Sequence, residues 1–126
     1  MSVFALRGAT TVDSDTPEEI RSRTIELLEQ MFERNDLRRA DIISVFFTST
    51  SDLMSLPPAA AARAFGLNDV ALLCAQEAEI DGGLEHCVRI MLHLNTTKEA
   101  ADFRHVFLRR ATEVRPDMAE PGDEDF

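Results

Sequence analysis

Short apolar runs separated by polar and Gly- or Pro-containing stretches predict a sheet of mostly buried strands. Aliphatic, β-branched and aromatic residues fill these runs, which predict strands over residues 3–12, 42–47, 70–74 and 105–108. A further strand is expected after the Gly82-Gly83 turn, and it carries one arginine, Arg89, in its middle. The sheet is therefore the framework of the chain.

Two helices are predicted between the strands. Thr16-Pro17-Glu18-Glu19 combines an N-cap threonine, a proline at the first helical position and a glutamate at the third, a capping box. The side chains at helical spacing after it are Ile20, Thr24, Leu27, Leu28, Met31 and Phe32, and Asn35-Asp36 ends the helix. Pro57-Pro58 and the alanine run after it predict a second, small-faced helix that reaches Arg63 and ends near Gly66. Single helical turns are expected over 96–99 and 111–115.

The order of these elements predicts an α+β fold, a mixed β-sheet with helices on one face. Too few helices are left to cover the other face, so we expect a second copy of the chain to cover it. Residues 1–116 are expected to form a single domain. Residues 117–126 contain five acids together with Pro and Gly, which predicts an acidic, mobile C-terminal tail.

Composition excludes several classes of function. The net charge of −10 over 126 residues argues against a nucleic-acid ligand, since neutralising phosphates needs a basic face. No apolar run approaches the length of a membrane span and no leader pattern precedes the first strand, so a cytoplasmic protein without membrane contact is expected. Cys74 and Cys87 lack metal-ligand spacing, so we expect buried, reduced thiols. With no Gly-rich phosphate loop and no Cys or His cluster, no cofactor and no metal are expected.

The candidate chemistry comes from arginines and one carboxylate. Twelve of the thirteen basic residues are Arg, and Arg7, Arg63 and Arg89 interrupt or end apolar segments. A guanidinium in the middle of a buried strand needs a carboxylate or an anionic ligand, and Glu77 after the preceding strand is the candidate carboxylate. A purely structural ion pair is the alternative. The three histidines, His86, His93 and His105, are scattered and fit core-edge or surface positions better than a general base.

Several segments, in order and at nearly fixed spacing, resemble the monofunctional trimeric chorismate mutases. They are Arg7-Gly8-Ala9-Thr10-Thr11, Asp15-Thr16 with Glu18-Glu19-Ile20, Pro58-Ala59 to Arg63, Cys74 with Gln76-Glu77, Gly82-Gly83-Leu84 to Arg89, Arg104-His105-Val106 and Arg115-Pro116-Asp117. The resemblance implies a homotrimer with a pseudo α/β-barrel arrangement and active sites between subunits. It also implies the Claisen rearrangement of chorismate to prephenate, in phenylalanine and tyrosine biosynthesis, without proton transfer, nucleophile or cofactor.

The resemblance further implies the role of each site residue. Arg89 would stabilise negative charge on the ether oxygen, Glu77 would accept the ring hydroxyl, and Arg7 would hold the side-chain carboxylate of the substrate. Other residues would line the pocket: Leu73, Cys74, Ala75 and Gln76 as one wall, Ala59 and Arg63 from the neighbouring subunit, Phe107, and Val114 with Arg115 from the C-terminal segment.

The chain departs from the family pattern at the edges of the expected site. Phe107 stands where a tyrosine is usual, Ala60 replaces a frequent lysine, and Pro57 replaces a frequent phenylalanine. The effect on efficiency, any feedback regulation and ordering of the tail on ligand binding stay open. The rival hypothesis is a non-catalytic trimeric module that binds a small carboxylate in the same cleft.

Overall fold

In the computed structural model, which describes residues 1–126, five strands form one mixed sheet. The strands are β1 (Ser2–Thr11), β2 (Ile42–Ser49), β3 (Ala71–Gln76), β4 (Cys87–Thr96) and β5 (Val106–Phe107). Their spatial order is β3-β2-β4-β1-β5, and the central β4 runs antiparallel to both of its neighbours, β1 and β2. The β2–β3 and β1–β5 pairs are parallel. The expected mixed sheet is confirmed.

Two helices connect the strands, α1 (Pro17–Asn35) and α2 (Ala59–Phe65). The Thr16 hydroxyl accepts a hydrogen bond from the Glu19 backbone N–H at 3.2 Å, as the capping box predicts. The Glu19 carboxylate, however, accepts from the Asp13 N–H at 3.2 Å, so the reciprocal half of the box ties the helix to the loop before it. α2 ends at Gly66 with a φ of 106°, a conformation that favours glycine. Neither helix combines the length and the apolar character needed to cross a membrane.

The core lies between the helices and one face of the sheet. The largest fully buried side chains there include Leu6, Leu27, Met31, Phe47 and Leu92. α1 approaches β1 closely at Gly8, where an added Cβ would meet the Met31 sulfur at 2.5 Å. The expectation that the helices cover one face of the sheet is therefore confirmed.

The other face of the sheet carries exposed apolar side chains. Val3, Phe46, Leu73 and Met91 are 62%, 42%, 60% and 38% exposed. Strand alternation places these residues opposite the buried set, since successive side chains point to opposite faces. We call this surface, defined by these residues, the open face.

Some boundaries differ from the sequence-based expectations. β2 continues through Thr48 and Ser49, beyond the strand predicted over residues 42–47, because both residues pair with β3 and β4. The turn expected over 96–99 forms later, at Ala100–Asp102, with Glu99 as its N-cap. Pairing with neighbouring strands sets the end of β2, and local capping sets the start of the turn. The spacing of apolar residues along the sequence indicates neither of them.

The C-terminal segment contacts α1 in this structure. The Arg34 guanidinium of α1 lies 2.8 Å from the carboxylate of Asp123, which is buried, and 5.7 Å from the centre of the Phe126 ring. Short 3₁₀ helices form at Arg109–Glu113, Pro116–Met118 and Asp123–Asp125. The mobility expected for residues 117–126 stays a prediction. If the segment left α1, the contacts of Arg34 with Asp123 and Phe126 would be broken.

Candidate active site

A cavity of about 440 Å³ opens on the uncovered side of the sheet, where β1, β2 and β4 lie side by side. Its lining combines an apolar floor with two guanidiniums and one hydroxyl: Arg7, Gly8, Ala9, Phe46, Thr48, Arg89, Ile90, Met91 and Phe107. Arg7 and Arg89 come from adjacent strands that pair antiparallel. The strands thus bring together two of the three arginines that the sequence singles out.

Arg89 meets Glu77, as the charge argument requires. The Arg89 Nε lies 3.4 Å from the Glu77 Oε2, and both side chains are only partly exposed, at 36% and 24%. The contact lacks hydrogen-bond alignment, so the Nε is buried with no hydrogen-bond partner. A buried N–H left without an acceptor has a cost, while the exposed part of the guanidinium lines the cavity and can meet an anionic ligand there.

Glu77 is held by β2 through both its backbone and its side chain. Its backbone N–H donates to the Ser49 carbonyl at 2.8 Å, which continues the β2–β3 pairing one residue past the end of β3. The Thr48 hydroxyl donates to Glu77 Oε2, the same oxygen that faces Arg89. Glu77 Oε1 accepts no hydrogen bond from the chain and stays available to a ligand.

Arg7 lies over Phe107, and its backbone contacts a histidine. The Arg7 Cζ is 5.8 Å from the centre of the buried Phe107 ring. The Arg7 backbone N–H donates to His105 Nδ1 at 2.9 Å, so this nitrogen carries no proton. Burial lowers the pKa of His105, and the positive charges of Arg7 and Arg115 lower it further. His105 therefore acts as a neutral acceptor that fixes the backbone of Arg7.

The wall expected from residues 73–76 lies on an edge strand. Leu73 pairs with Phe46 and Ala75 with Thr48, so both share the open face, whereas Cys74 and Gln76 alternate to the other side. The expectation that both thiols are buried is wrong for Cys74, which is exposed because β3 has no neighbour beyond it. Cys87 is buried, and burial raises the pKa of its thiol to about 11.

Residues 73–76 do not line the cavity, and four other predicted residues also lie away from it within one chain. Ala59 is buried in the core and Arg63 is exposed, both on α2, which packs on the helical face of the sheet. Arg115, beside Val114 in the C-terminal segment, is paired with Asp117 at 2.9 Å, and that hydrogen bond raises the pKa of the guanidinium. A single chain thus completes only part of the site that the resemblance implies.

Sequence reasoning missed two residues of this site. The strand predicted over residues 42–47 stops before Thr48, although its position two residues after Phe46 puts it on the same strand face. For His105 the sequence predicts a core-edge or surface position, and no local pattern links it to Arg7, 98 positions away. Only the sheet pairing reveals both contacts.

The arrangement suits binding of an anion in a compact, partly apolar cleft. Two guanidiniums line the cavity, and the Glu77 carboxylate lies beside one of them, Arg89. No three potential metal ligands lie together. An α+β fold with this cleft defines a protein that binds and orients a small anionic ligand by charge and shape.

Comparison with known proteins identifies the family. Residues 3–118 match the family model described as chorismate mutase type I, so the chain belongs to that family. The chain is 38% identical over 120 residues to chorismate mutase AroH of Bacillus subtilis (strain 168), covering 94% of each chain. It is 43% identical over 117 residues to chorismate mutase AroH of Thermus thermophilus, covering 92% of this chain and 96% of the relative.

A solved structure agrees with this assignment. A chorismate mutase from Clostridium thermocellum superimposes with a TM-score of 0.85 at 46% sequence identity. The match covers 87% of this chain and 98% of that one. The resemblance that the sequence motifs indicated is thereby confirmed, including the α+β class.

Proposed function

We propose that the chain converts chorismate to prephenate by holding the substrate in its compact conformer and stabilising the charge that develops as the ether C–O bond lengthens. The support is its membership of the chorismate mutase type I family, with AroH relatives over more than 90% of the chain. The reaction is an intramolecular isomerisation, so orientation and electrostatics can supply the rate enhancement without a covalent intermediate.

The observation that carries the mechanism is the partly exposed guanidinium of Arg89, which lines the cavity beside Glu77. This fixed positive group is preorganised for negative charge on the ether oxygen, because its strand and its pairing with Glu77 hold it in place before the charge appears. Glu77 Oε1 accepts the ring hydroxyl and complements positive character on the ring fragment. Arg7, over the Phe107 ring, binds the side-chain carboxylate.

We also propose that the active unit is a homotrimer with each site shared between neighbouring subunits. The exposed apolar side chains of the open face give one reason, since a second copy would remove them from water. Ala59 and Arg63 give the other, because in one chain they lie on the opposite side of the sheet from the cavity. A neighbour's α2 would supply them at the β3 wall, Leu73 to Gln76, with Val114 and Arg115 closing the cleft.

The proposed enzyme serves phenylalanine and tyrosine biosynthesis in the cytoplasm, and its domain spans residues 1–116. No cofactor takes part in the proposed step. The rival, a module that binds a small carboxylate without catalysis, would use the same guanidiniums.

A direct assay separates the two functions. Purified protein is incubated with chorismate, and loss of its ultraviolet absorbance is followed together with the appearance of prephenate by chromatography. Prephenate formation proportional to protein concentration is expected, with a solution mass of three chains by light scattering. Tight binding of chorismate without turnover would instead select the binding module, and full activity of a monomer would refute the shared site.

A further inference from the structure

The carboxylate of Glu77 depends on few contacts for its position. Glu77 follows the last residue of the edge strand β3, and it has no neighbouring strand on its outer side. Its ion pair with Arg89, at 3.4 Å, lacks hydrogen-bond alignment and is partly exposed. A glutamate side chain has several freely rotating bonds, so an ion pair of this kind holds one rotamer only weakly.

Thr48 supplies the missing constraint from the neighbouring strand. Thr48 pairs with Ala75 of β3 on one side and with Arg89 of β4 on the other, so its side chain lies on the same sheet face as the Arg89 guanidinium. Its hydroxyl donates to Glu77 Oε2, and the side chain also lines the cavity. This is the one hydrogen bond that the chain donates to the Glu77 carboxylate.

We propose that Thr48 is a positioning residue for the reaction: its hydroxyl fixes Glu77 Oε2 beside Arg89 and thereby turns Oε1 toward the substrate hydroxyl. The inference rests on the proposed function, because it assigns Thr48 a part in the same chemistry. Thr48 acts through Glu77. A carboxylate free to rotate would spend time with neither oxygen aimed at the ligand, and small misplacements of this kind lower kcat strongly.

A neighbouring hydroxyl offers a matched control. The Ser51 hydroxyl donates to Glu79 Oε1, the same type of contact between the end of β2 and the segment after β3. Glu79 contacts no guanidinium, so the Ser51–Glu79 bond ties the same two segments without orienting Glu77. If Thr48 only stabilised the connection of these segments, loss of either hydroxyl would have a similar effect.

The experiment compares Thr48→Val, Thr48→Ser and Ser51→Ala with the wild-type protein in the chorismate assay. Thr48→Val keeps the shape of the side chain and removes the donor, and we expect kcat to fall about 10-fold with KM changed less than about threefold. Thr48→Ser retains the hydroxyl and should stay within about twofold of wild type. Ser51→Ala should have the wild-type kcat. In a Glu77→Ala background, Thr48→Val should cost less than about twofold, because the group that it orients is gone.

The outcomes separate this inference from the proposed function. If the wild-type protein forms no prephenate, the proposed function fails and the role of Thr48 falls with it. If the wild type is active and Thr48→Val has the same kcat, or loses as much in the Glu77→Ala background as alone, the positioning role is wrong. Folding is checked by circular dichroism and solution mass, and Thr48→Ala replaces the valine variant if valine prevents folding.

Discussion

Replacing Arg89 by alanine removes the donor on which the proposed mechanism depends. Its Nε is buried without a hydrogen-bond partner, 3.4 Å from Glu77 Oε2. One preorganised donor to developing negative charge contributes about 100- to 1000-fold in kcat. For Arg89→Ala we expect the lower end of this range, a loss of about 100-fold in kcat. The Arg89 side chain is 36% exposed, so water screens part of the electric field of its charge. The assay is the initial rate of prephenate formation at saturating chorismate.

Two further variants make the Arg89 experiment specific. Arg89→Lys keeps the positive charge but lacks the planar guanidinium, so most of the loss should persist. Arg38→Ala removes an arginine whose side chain is 78% exposed and whose partner is the nearby Asp41, and kcat should stay at the wild-type value. An Arg89→Ala protein with native circular dichroism and mass, whose kcat lies within about threefold of wild type, would refute the electrostatic mechanism.

The remaining predictions address assembly, the substituted tyrosine and pH. Mixing inactive Arg63→Ala chains with inactive Arg89→Ala chains, after partial denaturation and refolding together, should restore activity, since some shared sites then contain both arginines. Phe107→Tyr places a hydroxyl beside Arg7, and we expect a KM about fivefold lower with little change in kcat, equivalent to about 1 kcal/mol. The pKa of His105 is lower in the native chain than in the unfolded chain, so as pH falls the imidazole is protonated first in the unfolded chain. The contribution of neutral His105 to the free energy of unfolding is therefore complete above about pH 6.5 and is lost as pH drops toward the native pKa. Urea unfolding midpoints at fixed protein concentration should show this slope below pH 6.5, and His105→Gln should remove it.

Each of these predictions has a result that would contradict it. Mixed chains that stay as inactive as the separate variants, despite forming mixed trimers, would place Arg63 outside the shared site. An unchanged KM in Phe107→Tyr would mean that another group already satisfies the carboxylate. An identical pH slope in wild type and His105→Gln would assign the proton linkage to another residue.

The sequence predicted the site chemistry through charges in apolar surroundings. Arg89 in the middle of a buried strand required an anion, and Glu77 provides one in the structure. The motifs around Arg7, Glu77 and Arg89 also carried the resemblance to the family, which the comparisons confirm. The exposure of the Arg7, Glu77 and Arg89 side chains and their positions relative to one another could not be predicted from the sequence, because both depend on the strands that flank β4.

The sequence by itself determined the two helices and the main strands, because hydrophobic periodicity and capping residues act over short distances. Only the tertiary structure decided which residues meet across the sheet. Strand order placed Thr48 between Glu77 and Arg89, left Cys74 exposed at an edge, and brought His105 to Arg7. The physical reason is that strand pairing joins residues distant in sequence, and the register that aligns them is fixed by the fold as a whole.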